Sequence, residues 1–245
     1  MLERDVAPGI HRVEHAYTNW YLVEDAGHIT IVDAGFPRSW ALLRSALDEL
    51  GRTPADVEAV VLTHAHADHV GFAERVRIEW DVPVWLHERE RSLSRHPLNY
   101  EKEHGPLRHR NPKLLLIAAA MVRAGVLKTP PIGDARAFAE EVELDVPGRP
   151  RPVFTPGHTH GHTALHFPDR GTVIAGDALA TAEPYTGKRG PRLMSGASCV
   201  DSMEAMASLA RIADTGARTV LVGHGPPWTG GAREAVERAR EAGPS

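Results

Sequence analysis

Cysteine is almost absent from this sequence: 245 residues contain one, Cys199. A lone thiol excludes an internal disulfide framework and any zinc site built from thiolates, and it fits a reducing compartment. Aromatic residues are sparse at 6%. Long apolar runs are missing as well. The longest, Leu114–Val122, falls far short of the roughly 20 residues that a membrane-spanning helix needs. The stretch Met1–Gly9 lacks the basic-then-apolar pattern of a secretion signal. There is no basic excess: the net charge is −4 and the pI about 6.4, which leaves no electrostatic footprint for nucleic acid. These absences lead us to expect a cytoplasmic protein with no membrane or nucleic-acid partner. Hydrophobic residues, at 42%, suffice for a sizeable core, and no solenoid-period repeat or low-complexity segment interrupts them. One domain over residues 1–245 is expected.

The pattern of apolar residues predicts strands at Ile10–Tyr17, Trp20–Val23 and Ile29–Val32, with a hairpin turn at Glu24–Gly27. A helix is expected over Arg38–Leu50, ending at Gly51, and a continuous apolar strand over Val57–Leu62. A helix from Val70 to Trp80 and a strand at Pro83–Leu86 follow. Residues 87–135 change texture, being rich in Arg, His and Pro, and read as a mainly helical insertion or lid that includes Pro112–Ala124. Strands resume at Ala137–Leu144, Val153–Thr155, Thr163–Phe167 and Thr172–Ile174. A helix at Ser202–Ala213, a strand at Thr219–Val222 and a helix at Ala232–Arg240 complete the pattern. Strands in both halves, each followed by helices, suggest two packed sheets with helices outside.

What the sequence has in quantity is histidine, with 15 copies. Two clusters stand out. One is His64-Ala-His66-Ala-Asp68-His69, directly after an apolar strand. There the i, i+2 pair His64 and His66 can serve one centre, while Asp68 and His69, entering the next helix, serve another. A solvated polar turn is the plain alternative. The second cluster holds His158, His160, His162 and His166, of which only His158 directly follows a strand-and-glycine sequence. Asp177 after Thr172-Val-Ile-Ala-Gly and His224 after Val220-Leu-Val-Gly repeat that arrangement, in which glycine lets backbone pass close to a metal or turn beside it. A further strand ends at Asp33. Four more histidines, His87, His96, His104 and His109, fall in the 87–135 segment and read as ordinary solvated or hydrogen-bonding residues, and Tyr185–Met194 reads as a solvated loop.

Asp33 in Val-Asp-Ala-Gly, the His64-x-His66-x-Asp68-His69 turn, His158 in Thr-Pro-Gly-His, Asp177 in Ala-Gly-Asp and His224 in Gly-His-Gly resemble, in order, the five motifs of the metallo-β-lactamase superfamily. The likeness spans about Val32 to Gly225. It implies an α+β fold, a four-layer αβ/βα sandwich of two mixed β-sheets flanked by helices. It further implies that His64, His66 and His158 hold one metal, that Asp68, His69 and His224 hold a second, and that Asp177 bridges them. Asp33 would orient a ligand histidine, and His162 would support the site from behind the ligands. Two divalent metal ions are implied, Zn2+ foremost, with Mn2+ or Fe also suiting these donors. Cations roughly 3.5–4 Å apart sharing a hydroxide make a nucleophile at neutral pH, with Asp68 as the catalytic carboxylate that steers it or carries a proton.

Within that family, His66 favours hydrolysis over the flavodiiron oxidoreductases, which carry Glu there, and Asp177 favours the glyoxalase II and lactonase side over the β-lactamases. The resemblance therefore implies a dinuclear metallo-hydrolase acting on a small-molecule acyl substrate, a carboxylic ester, thioester or lactone, as a monomer or homodimer. The alternatives are β-lactamase-like amide hydrolysis and a mononuclear iron persulfide dioxygenase. Leu114, Leu115, Ile117, Ala118, Met121 and Val122 offer an apolar wall for substrate, or a face that packs on the core or on another subunit.

Overall fold

Short apolar strands separated by two-residue turns start the chain as a meander. The computed structural model describes residues 1–105 and 111–244, and these fall into two compact units; His109 lies outside the described residues.

The first unit comprises Met1–Tyr100, Ala119–Phe138 and Leu144–Arg149. Strands β1 (Leu2–Ala7), β2 (Ile10–His15), β3 (Thr18–Asp25) and β4 (His28–Val32) run antiparallel. Strands β5 (Val57–Val61), β6 (Val84–His87) and β7 (Arg136–Phe138) then add in parallel, giving a seven-stranded sheet in sequence order. Parallel neighbours need crossovers. Here α1 (Trp40–Leu50) joins β4 to β5, and α2 (Ala73–Trp80) joins β5 to β6. Helix α1 buries Trp40, Leu43, Ala46 and Leu47 and stops at Gly51, which takes a left-handed φ of 69°. Its apolar stripe meets Trp20, Leu22, Ile29, Ile31, Val60, Leu62 and Phe72 in one core, where Trp20 and Phe72 pack edge to face at 5.1 Å.

Several expected boundaries move. The strand expected to reach Tyr17 ends at His15, and β1 has no counterpart in the sequence reading, because Leu2-Glu-Arg-Asp-Val lacks clean alternation and Asp5 sits at positive φ. Helix α2 begins at Ala73 rather than Val70, because the preceding backbone is bonded elsewhere. Ala34 N–H donates to His69 O (2.6 Å), Gly71 N–H to Gly35 O (2.7 Å) and Phe72 N–H to Ala34 O (3.0 Å). A Cβ on Gly71 would collide with the Phe36 backbone, so this close approach requires glycine. The strand expected over Ala137–Leu144 shrinks to β7, since Glu141 turns the chain at a φ of 62°. Residues 87–135 hold α3 (Arg91–Arg95) and α4 (Leu114–Ala124). The expected apolar wall on α4 divides, with Ile117 buried and Leu115 and Val122 exposed.

The second unit comprises Glu101–Ala118, Ala139–Glu143 and Pro150–Ser245. Its four-stranded sheet has the order β13-β10-β9-β8, from β8 (Arg151–Phe154), β9 (Thr163–Phe167), β10 (Thr172–Gly176) and β13 (Thr219–Val222). Strands β8, β9 and β10 are antiparallel in turn, and β13 runs parallel to β10. A two-stranded ribbon, β11 (Ala180–Ala182) with β12 (Arg189–Arg192), replaces part of the expected Tyr185–Met194 loop. Helix α5 (Ser202–Asp214) is capped by Asp201, whose carboxylate accepts the N–H groups of Met203 and Glu204 at 2.9 Å. It packs with α6 (Ala232–Ala242) on Val173, Ala175, Val220 and Val222. Among the described residues no helix is long and apolar enough to cross a membrane.

Candidate metal centre

The first unit presents one donor group on the turn that follows β5. Strands β4 and β5 are parallel neighbours, so their C-terminal ends bring Asp33 and Thr63 together. Asp33 is buried in a left-handed conformation, φ 60°. Its Oδ1 accepts the Thr63 N–H at 2.8 Å, and its Oδ2 lies 3.0 Å from His69 Nδ1. Thr63 Oγ1 donates to Asp33 (2.9 Å) and stands 3.0 Å from His64 Nδ1. With its single proton spent on Asp33, the hydroxyl accepts from His64. Both His64 and His69 therefore carry their proton on Nδ1, leaving the lone pair on Nε2, the arrangement that suits a metal ligand. Ligand atoms of Asp33, His64 and His69 lie within 4.8 Å of one another.

His66 joins this group, its ring 4.8 Å from that of His64 and 4.6 Å from that of Tyr100. Asp68 is the most exposed of the turn's four candidate donors. Its Oδ2 accepts from Thr18 Oγ1 at 3.1 Å and lies 3.6 Å from His69 Nε2. Asp68 and His69 belong to the turn itself and not to the helix after it, which corrects their expected setting. Beneath the turn, the buried Glu90 accepts the N–H of Ala65, between His64 and His66, at 2.8 Å. Thr18, Thr63, Glu90 and Tyr100 escaped the sequence reading. Thr63 alone had a signal, its adjacency to His64.

In the second unit the donors come from three strand ends. Strands β8, β10 and β13 point the same way, so Thr155–His158, Asp177 and His224 emerge along one sheet edge. Asp177 Oδ2 lies 3.4 Å from His158 Nε2 and 3.1 Å from His224 Nε2. One buried carboxylate oxygen thus faces two buried imidazole nitrogens. Gly157, at φ 120°, lets the chain pass where a Cβ would strike the Ala205 backbone, and Asp201 N–H donates to Gly157 O at 2.9 Å. His158 is thereby pinned to the start of α5.

The other histidines of this cluster have separate work. His162 Nε2 accepts the backbone N–H of Asp177 at 3.0 Å, so its proton is on Nδ1, 2.8 Å from Thr155 Oγ1. Both ring nitrogens are engaged in holding Asp177 and the β8 end. His160 is exposed and 3.4 Å from Glu101. His166 is half-buried on β9, and burial lowers its pKa. Cys199, read from the sequence only as a lone thiol, lies with Sγ 3.5 Å from His158 Nδ1 and 3.3 Å from Met194 O. Burial pushes its thiol far up, so it stays neutral and serves as a hydrogen-bonding partner. Buried imidazoles with fixed tautomers, together with carboxylates and no thiolate, form a donor set that fits divalent cations.

Residues 14–224 match the family model of the metallo-β-lactamase superfamily. The chain is similar to YflN, a probable metallo-hydrolase of Bacillus subtilis (strain 168), being 27% identical over 92% of this chain and 87% of that one. It is 28% identical to a hydroxyacylglutathione hydrolase of Gloeobacter violaceus, over 69% of this chain and 52% of that protein. Among solved structures it resembles TTHA1623 in a di-iron-bound form, with a TM-score of 0.64, 26% identity and coverage of 89% of this chain and 92% of that one. With five ordered motifs, mixed sheets carrying donors at their strand ends, and a family match over most of its length, the chain belongs to the metallo-β-lactamase superfamily.

Proposed function

We propose that this protein is a dinuclear metallo-hydrolase that cleaves a carboxylic ester, thioester or lactone. The observation that carries the reading is Asp177 Oδ2, which faces both His158 and His224, the disposition of a ligand shared between two cations. His64, His66 and His158 would hold one cation, and Asp68, His69 and His224 the other. Bound there, two divalent cations supply Lewis acidity and a water acidified toward about pKa 7. Zinc suits the donors best, and manganese and iron also suit them; the di-iron-bound relative keeps iron among the metals to test.

The chain's own residues do the rest. Asp33 and Thr63 fix the tautomers of His69 and His64, so both offer Nε2 without a proton to lose. His162 holds the Asp177 backbone in register. Asp68, the donor of the turn with most access to solvent, accepts a proton at its carboxylate and passes it outward. Similarity to a hydroxyacylglutathione hydrolase supports a thioester among the candidate substrates.

The test is a screen of metal-reconstituted protein against thioesters, lactones, aryl esters, phosphodiesters and β-lactams. Turnover of the acyl esters or thioesters is expected. Activity confined to phosphodiesters or β-lactams would overturn the substrate class. One iron per chain with persulfide oxidation would move the protein to the dioxygenase reading.

A further inference from the structure

We propose that Thr18 is a positioning residue that fixes the Asp68 carboxylate for the second metal site. Thr18 opens β3, is wholly buried, and donates from Oγ1 to Asp68 Oδ2 at 3.1 Å. Valine would fill the same volume at lower desolvation cost, so a buried hydroxyl at this point is explained by the bond it makes.

The chain leading to Thr18 is strained. Strand register pairs His15 with Thr18, leaving a loop of only Ala16 and Tyr17, at φ 49° and 71°. Positive φ at both central residues is the pattern of a type I′ turn, where Asn-Gly is the favoured pair. An alanine and an aromatic residue adopt that region rarely and at a cost, and such strain concentrates at functional sites. The tight loop locks the register of β2 against β3. A slip of one residue would turn the Thr18 hydroxyl to the opposite face of the sheet.

Thr18 and Asp33 then act as a pair. Asp33 holds His69 through Nδ1, and Thr18 holds Asp68, whose Oδ2 lies 3.6 Å from His69 Nε2. Thr18 bonds Asp68 directly, whereas Thr63 stands beside His64, so the effect of Thr18 is expected to fall on the Asp68–His69 pair. The inference rests on the reading of Asp68 and His69 as ligands of a second cation.

Titration of the metal-free full chain with Co2+, followed by visible absorption and by cobalt equivalents per chain, tests it. The wild type is expected to bind two equivalents. Thr18→Val should bind the first normally and the second about 10–100-fold more weakly, the usual cost of losing a residue that orients a ligand. Thr18→Ser, which keeps the donor, should restore the second site to within a few-fold, and it keeps the test decisive if Thr18→Val folds poorly. Wild-type affinity for the second cobalt in Thr18→Val, or equal weakness in Thr18→Val and Thr18→Ser, would overturn the proposal. A single equivalent in the wild type would instead overturn the ligand role of Asp68, and the proposal with it.

Discussion

The two donor groups are built in different ways. In the first unit, His64, His66, Asp68 and His69 come from one turn, and carboxylates support that turn: Asp33 under His69 and Glu90 under Ala65. In the second unit, three donors come from three strand ends, and neutral groups support them: His162 on the Asp177 backbone and Cys199 beside His158. A turn has little backbone ladder of its own, so buried side-chain acceptors have to hold its N–H groups. Strand ends inherit their placement from the sheet and need only tautomer control. Removing a support should therefore hurt more in the first unit than in the second.

The largest effect is expected for Asp33→Ala. It removes the acceptor for His69 Nδ1 and for both donors of Thr63 at once, so metal affinity should fall about 100-fold, and the metal-free protein should lose about 2–3 kcal/mol through buried groups left without partners. Metal titration and denaturant unfolding read the two losses. Next comes Glu90. Glu90→Leu leaves the Ala65 N–H buried without its acceptor, at about 1–3 kcal/mol, whereas Glu90→Gln keeps an acceptor oxygen and should lose less. Equal losses in the two variants would show that charge, and not the hydrogen bond, is what the turn needs. The smallest effect is expected for Cys199→Ala, with metal affinity within about threefold of wild type, because a thiol at 3.5 Å is a weak partner. A tenfold loss there would break the contrast between the units.

The sequence made the candidate donors legible and hid most of the residues bonded around them. His64, His66, Asp68, His69, His158, Asp177 and His224 are conspicuous because metal-ligand residue types recur directly after apolar strands. Thr18, Glu90 and Cys199 are not, since each acts across the fold on a partner distant in the chain, and nothing local distinguishes them from any buried threonine, exposed glutamate or core cysteine. Elements followed the same rule. Strands β9 and β13 begin and end where apolar periodicity puts them, while β1 and the β11–β12 ribbon, polar or proline-bearing, exist only through their pairing. Helix α2 starts late because the His69 carbonyl, which would accept the first helical bond, is taken by the Ala34 N–H, a tertiary competition that periodicity cannot register.

The central claim is that this fold hydrolyses acyl substrates through bound metal. Its most direct test is thioester and lactone hydrolysis by one preparation, first stripped with chelator to below a tenth of an equivalent, roughly, and then reloaded with Zn2+, Mn2+ or Fe2+. The account predicts loss of turnover on stripping and its return on reloading, at two equivalents per chain. Undiminished hydrolysis by the stripped protein would contradict it.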